Sequence, residues 1–337
     1  MKKALSALAV LSALATSTSA LAANEVNVYS YRQPYLIEPM LKDFEKQTGI
    51  KVNVIFADKG LEERVKQEGE LSPADVLLTV DISRVMKIVG AGVSQPVKSK
   101  VLEQNIPAQF RDSNGDWYGL TTRARAIYTS KDRVGKLPAG FDYLDLAKPE
   151  YKGKVCVRSG KNSYNVSLFA AMIAHYGEEA TKKFLEGLKA NLAQKPQGGD
   201  RDQVKAIKEG ICDYALGNSY YYGKMLEDDK QKAWAESAII NFPTGKFGTH
   251  LNISAVAVAK HSPNKANAVK LIEFLSGDKA QSLYAELNHE YPVKEGVKPS
   301  ALVQGWGSFT ADTIKLEEIA KNYDKALKLV DEVKFDE

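Results

Sequence analysis

A chain of 337 residues with 44% hydrophobic and 26% charged side chains has the composition of a folded protein of about two domains, which excludes disorder. The formal charge is only +4, and the lysines and arginines are interspersed with aspartate and glutamate rather than blocked, so nucleic acid is not an expected partner. Two cysteines, Cys156 and Cys212, are too few for a disulfide scaffold or a structural zinc site.

The chain starts MKKALSALAVLSALATSTSALA, two lysines and an apolar run ending in the small-residue motif Ala20-Leu21-Ala22. That pattern predicts a signal peptide over residues 1–22, cleaved after Ala22, and an exported mature chain whose charge falls to +2 without Lys2 and Lys3. No cysteine follows the run to carry a lipid, and no later stretch reaches the roughly 20 apolar residues of a membrane span, so no membrane insertion is expected after cleavage. In an oxidising compartment two readings of the cysteines stay open: one disulfide between two strands, or two buried thiols.

From residue 24, NEVNVYSY reads as a strand, YLIEPMLKDFEKQTGI as an amphipathic helix stopped by Gly49, and KVNVIFADKG as a second strand, which makes a βαβ unit. LEERVKQEGEL (helix), ADVLLTVD (a strand apolar on both faces) and ISRVMKIVGAG (a short helix) continue it. Such alternation implies a parallel sheet covered on both sides. WYGLTTRARAIYTSKD is a long extended crossover, after which KGKVCVRSG, SLFAAMIAHYG, EEATKKFLEGLKANL and GICDYALGN build a second set of elements. FGTHLNISAVAVAK returns as a strand, two helices follow, and IKLEEIAKNYDKALKLVDEV is expected to close the chain as one helix. The fold expected is α/β with two doubly wound lobes, a hinge near 121–127 and 249–254, and a central cleft. Approximate boundaries are 23–122 plus 249–298 for the first lobe and 123–248 plus 299–337 for the second. Ligands bind such folds at the carboxyl ends of strands, where helix N-termini point.

At 218–223 the chain reads NSYYYG, three phenols in a row where the strand CDYALGN gives way to a helix. A phenol ordinarily titrates near 10 and is anionic at neutral pH only beside strong positive charge. Hard cations prefer oxygen ligands and can strip the proton from a ligand, and ferric iron matches phenolate. Tyr164 in SGKNSYNVSL is predicted in a strand-to-helix loop of the same lobe. Phenolates from Tyr164, Tyr220 and Tyr221 would balance the charge of Fe3+. The alternative is that these rings stack on a sugar or simply pack. A small anion such as carbonate could complete the metal's coordination. TTRARAIY puts Arg123 and Arg125 on one strand face, where planar guanidinium suits an oxyanion. Arg125 is expected in a structural ion pair; for Arg123 the anion and an ion pair are equally open.

On these residues, and on YSYR at 29–32, ADVLLTVDIS at 74–83, GGDRDQ at 198–203 and GTHLNIS at 248–254, the mature chain resembles periplasmic ferric-ion binding proteins, the solute receptors of iron ABC importers with a transferrin-like lobe. The family's Asn-x-Tyr-Tyr-x-Gly pattern implies Tyr220 and Tyr221 as iron ligands, with Tyr222 as its variable position. The third tyrosine of the family falls on Tyr164, and Arg123 matches the arginine that holds a synergistic carbonate or bicarbonate. Many relatives read Tyr-Ser-x-Arg-His-Tyr in the first loop, where this chain has YSYRQPYL. Tyr35 is therefore the candidate first-lobe ligand on closure, Tyr31 a weaker one, and Arg32 either serves the anion or braces the loop. The resemblance implies a periplasmic monomer that loads Fe3+ and delivers it to an inner-membrane ABC permease and its ATPase.

Four histidines attract no ligand role: His250 is expected to hydrogen-bond across the hinge, and His175, His261 and His289 to be solvated or structural. Asp200, Arg201 and Asp202 read as a helix cap with internal ion pairs. A receptor for a sugar, polyamine or oxyanion is the competing function in the same fold. An exported enzyme is disfavoured, because the chain carries no Gly-x-Ser-x-Gly elbow, no HExxH and no other recognisable nucleophile signature.

Overall fold

A computed structural model describes residues 24–337; the expected signal peptide and its cleavage site lie outside them. The described residues contain ten paired strands: β1 (Glu25–Ser30), β2 (Lys51–Phe56), β3 (Val76–Thr79), β4 (Ser94–Gln95), β5 (Tyr118–Ser130), β6 (Val155–Cys156), β7 (Tyr214–Asn218), β8 (Ala238–Asn241), β9 (Leu251–Ala259) and β10 (Tyr291–Pro292); seven follow the order β2-β1-β3-β9-β5-β7-β6, with β8 and β10 pairing off β5 and β4 off β9. β2, β1 and β3 run parallel, β9 is antiparallel to β3, and β5 is in turn antiparallel to β9. Beyond residue 124, β5 leaves β9 and pairs with β7 and β8 instead. One fully buried 13-residue strand thus serves two sheets, and the cleft lies where it changes partners. Helices cover both faces, as the alternating pattern predicts.

The first unit folds as its sequence dictates. The helix Glu38–Thr48 buries Met40, Leu41 and Phe44 on one face and stops at Gly49, whose φ of 71° is a left-handed conformation that suits glycine. Val26, Val28, Val76 and Leu78 meet those side chains from the sheet. On the other sheet Tyr128, Val204, Ile207 and Ala215 make a smaller core. A third cluster runs through both lobes, from Leu77 and Ile82 through Ile127 and Ile253 to Phe169 and Phe335.

Two expectations change. The closing segment is two helices, Leu316–Lys321 and Tyr323–Glu332, broken at Asn322, whose side chain donates back to the Glu318 carbonyl in competition with the helix. KGKVCVRSG contributes only the two residues of β6, because its lysines and arginine leave few positions that can be buried in a sheet. Among the described residues no helix is long and apolar enough to cross a membrane.

Cys156 and Cys212 form a disulfide with Cα atoms 5.9 Å apart, and both residues are buried. It ties β6 to the turn before its parallel neighbour β7, the two strands whose carboxyl ends lead to Tyr164 and Tyr220. Closing a loop of 56 residues constrains the unfolded chain by about 4 kcal/mol in the entropic picture. Replacing both cysteines by serine is expected to lower unfolding stability by about 2–4 kcal/mol, read as an earlier urea midpoint with a slope that rises as the unfolded chain expands.

Candidate metal centre

β7 is buried along Ala215–Asn218 and approaches β5 closely at Gly217, where a Cβ would stand 2.6 Å from the Tyr128 ring. The chain then turns directly into the helix Tyr220–Leu226. Ser219 fastens that turn to β5: its backbone N–H donates to the Ala124 carbonyl at 2.9 Å and its hydroxyl accepts from the Ala124 N–H at 3.2 Å. The three consecutive phenols therefore diverge. Tyr222 points into the lobe, stacks on Tyr128 and donates to the Ala238 carbonyl at 3.2 Å. Tyr220 and Tyr221 turn towards the cleft with ring centroids 4.2 Å apart.

Tyr164 arrives from the other strand. It lies in the first turn of the helix Ser163–Tyr176 rather than in a loop, because the Asn162 side chain accepts from its N–H at 3.1 Å and starts the helix one residue earlier. All three tyrosines line one cavity of about 160 Å³, with Arg123, Arg158 and Glu290. Tyr31 also lines it, but its hydroxyl is committed to Glu62 and the Leu61 N–H. Tyr35 does not line it and is 46% exposed on a short 3-10 turn.

The charges around the cavity are organised by two carboxylates. Glu290, fully buried, accepts from both terminal nitrogens of Arg32, and from Arg123 at 2.7 Å. Burial alone would raise its carboxyl; the two guanidinium groups hold it below the usual carboxylate range. Arg32 gives its remaining Nε to the Leu36 carbonyl, so in this geometry it braces the first loop. Arg123 also donates to the Val80 carbonyl at 2.6 Å, and its buried Nε has no partner. On the other side Asp200 pairs with Arg125 at 2.6 Å and with Arg158 at 3.4 Å, and accepts the Asn218 N–H at 2.8 Å. Here too burial acts to raise the carboxyl, and the arginines hold it low. Arg125 gives its terminal nitrogens to Asp200, Asn218 and Asn165, the structural pairing its sequence context led one to expect, and its buried Nε has no partner.

Three side chains depart from expectation. Asp202, not Asp200, supplies the cap, accepting from the Gly199 N–H at 2.6 Å, and Asp200 is drawn inward by two arginines instead. Arg201 pairs with neither aspartate but reaches Gln231 and lies over the Tyr221 ring. The His250 imidazole makes no hydrogen bond; only its backbone bridges the strand crossing, to Arg125 and the Tyr143 hydroxyl. Burial, with Arg125 and His175 nearby, pushes the ring down to about 3, so it is neutral.

Glu290 and Arg158 escaped the sequence reading. Glu290 lies 167 residues from Arg123 along the chain and 258 from Arg32. The available signal was a lone acid in HEYPV, beside a short apolar stretch that becomes β10 and pairs with Thr121 and Thr122.

Burial first, and then Tyr164 beside them, pushes the Tyr220 and Tyr221 phenols well above their usual range, against Arg123 and Arg158 respectively. In this geometry both phenols are neutral. Among the described residues no cluster of three His, Cys, Asp or Glu could hold a metal. A hard cation entering this cavity would meet phenol oxygens, and each would give up its proton to bind.

A family model for bacterial extracellular solute-binding proteins matches residues 72–305. Iron uptake protein A1 of Synechocystis is 43% identical over 313 residues, 91% of this chain and 86% of that one. The crystal structure of Pasteurella haemolytica apo ferric ion-binding protein A is 84% identical, with a TM-score of 0.92 over 94% of this chain and 99% of that one. A Trichodesmium protein in complex with iron and citrate ligands is 38% identical, with a TM-score of 0.86 over 92% and 99%. The matched model spans well over half of the sequence and these relatives align along nearly all of it: the chain belongs to the bacterial extracellular solute-binding protein family.

Proposed function

We propose that this protein captures ferric iron in the periplasm through the phenolates of Tyr164, Tyr220 and Tyr221 and delivers it as a monomer to an inner-membrane ABC permease with its ATPase. The observation that carries the proposal is the convergence of these phenols on one cavity, in a chain whose relatives are named for ferric iron. Three phenolates neutralise a trivalent ion, and the surrounding excess of guanidinium charge offsets the cost of making buried phenolates.

A small anion, carbonate in this reading, supplies the remaining oxygen ligands. The unpartnered Nε atoms of Arg123 and Arg158 and the N-terminus of the helix Ser163–Tyr176 suit it. Arg32 is not required to touch that anion, since Glu290 saturates it. The lobes, 23–122 with 249–298 and 123–248 with 299–337, close on the ion by bending β5 where it changes sheets and the neighbouring start of β9. Tyr35 on the first loop is the first-lobe ligand this reading adds on closure.

Titrating iron-stripped protein with ferric citrate in bicarbonate buffer should raise a broad visible charge-transfer band that saturates at a single iron per chain. Tyr220→Phe and Tyr221→Phe should abolish it and Tyr164→Phe should weaken or shift it, with far-ultraviolet circular dichroism unchanged. A band of wild-type intensity in the Tyr220→Phe/Tyr221→Phe double variant would overturn the assignment.

Proton linkage fixes the sign of the pH effect. The Tyr220 and Tyr221 phenols are protonated in the iron-free fold and must lose their protons on loading, so acidification should shift iron to a competing chelator. Their raised values also mean that the iron-free fold keeps this contribution to stability below 10.0, the ordinary phenol value, and loses it as pH rises beyond. Alkaline unfolding followed by circular dichroism should therefore begin at lower pH in the iron-free than in the loaded protein.

A further inference from the structure

Within GGDRDQ at 198–203, Asp202 caps a helix and Asp200 holds two arginines, but Arg201 serves neither task. It stands in the first turn of the nine-residue helix Asp200–Lys208, which is fastened on both sides of it. Asp202 accepts from the Gly199 N–H, and Asp200 is drawn inward by Arg125, Arg158 and the Asn218 N–H at the end of β7. That anchorage sets Arg201 beside the turn that follows β7. Its guanidinium lies over the Tyr221 ring, with Cζ 5.7 Å from the ring centroid, inside the reach of a cation–π contact. Other commitments are slight. Nη1 donates to the Gln231 side chain at 3.3 Å, and among the described residues no carboxylate pairs with the group, so its charge is not neutralised locally.

The contact belongs to a pattern. Arg123 lies over the Tyr220 ring at 5.7 Å, and Arg158 lies over the Tyr164 ring at 5.4 Å. Each of the three phenol rings that converge on the cavity thus has its own guanidinium, brought from three separate segments: β5, the residues after β6, and the start of the helix Asp200–Lys208. Arg123 and Arg158 also line the cavity, whereas Arg201 does not. Any effect of Arg201 on a bound ion therefore passes through Tyr221.

We propose that Arg201 is a positioning residue for iron binding: its guanidinium, seated on the Tyr221 ring, stabilises the phenolate form of that ligand and limits how strongly it donates to the metal. The inference rests on the ferric-phenolate reading of the cavity, and it names a determinant of that site's strength outside the cavity wall. The negative charge of a phenolate spreads over its ring, so a cation on the face attracts the anion more than the neutral phenol. Ionising Tyr221 becomes easier, against the burial that keeps it protonated. The same attraction lowers the ring electrons from which a charge-transfer band originates, and so raises the energy of that band. Removing the cation should therefore move the band to longer wavelength and tilt the competition between iron and protons towards protons. Arg158, Asp200, Tyr164 and Tyr220 also act on this phenol, and substitution at 201 leaves all four in place.

The test uses the iron-loaded protein in bicarbonate buffer with two variants: Arg201→Met, which keeps the apolar stem, and Arg201→Lys, which restores a cation. Arg201→Met should still take one iron per chain, with its visible band at longer wavelength than the wild type. At neutral pH it should lose iron to citrate roughly three- to thirtyfold more readily, and half-release on acidification should come at higher pH. Arg201→Lys should recover most of both effects. An unshifted band in iron-loaded Arg201→Met would overturn the proposal whether or not affinity falls, because a merely structural arginine alters how much iron is held and not the energy of the transition. A band in Arg201→Lys as far displaced as in Arg201→Met would also overturn it. If circular dichroism shows Arg201→Met unfolded, Arg201→Gln, which keeps a donor for Gln231, carries the same prediction. Failure of the phenolate reading looks different, since the wild type itself would then give no band.

Discussion

Two buried carboxylates hold the site together, each shared between two arginines. Glu290 joins Arg32 to Arg123, and Asp200 joins Arg125 to Arg158. A guanidinium taken out of water is tolerable only when paired, and removing one partner of such a buried pair typically costs about 3–5 kcal/mol. Each carboxylate therefore acts as a constraint on where two remote segments of chain can lie. Asp200 pins β5 to β7 and to the start of the helix that carries Tyr164, through Arg125, Asn218 and Asn165. Glu290 pins the first loop to the crossover strand.

The arithmetic of these networks matters for function. Four guanidinium groups against two carboxylates leave an excess of two positive charges around the phenols. That excess is too diffuse to ionise the phenols by itself, since burial outweighs it and both Tyr220 and Tyr221 stay protonated. It does lower the cost of ionising them once a cation arrives. In the reading proposed above, Fe3+, three phenolates, a doubly charged carbonate and this excess of two positive charges would sum to zero.

The backbone contributes through close approach. Gly223 in the helix Tyr220–Leu226 lies against His289, where a Cβ would come within 2.3 Å of the ring. His289 has a φ of 57°, an uncommon conformation for a residue with a side chain, and bonds Glu227 at 2.8 Å. The residue after it is Glu290. The turn that seats the tyrosine-bearing helix is thus continuous with the carboxylate that orients Arg123, which couples the tyrosine side of the cleft to its arginine side.

Much of this was legible in the linear chain. Alternation of apolar strands with amphipathic helices, Gly49 as a stop, and a long polar-tolerant crossover all follow from local periodicity and turn chemistry, so the α/β architecture is written there. NSYYYG and Tyr164 could be singled out because side-chain chemistry and position after a strand are local properties. The cysteine pair could be counted but not joined, since the partners lie 56 residues apart and only the parallel pairing of β6 and β7 brings them together. Tertiary structure alone decided which arginine is spent and which is left with a free donor. Arg32, Arg123 and Arg125 look equivalent as residue types, and what separates them is the carboxylate each meets, at distances of up to 258 residues along the chain. The sequence thus determined which chemistry the molecule carries, because that resides in single side chains; the fold decided where the charge is unbalanced, because electrostatics depends on separation in space and on the exclusion of water.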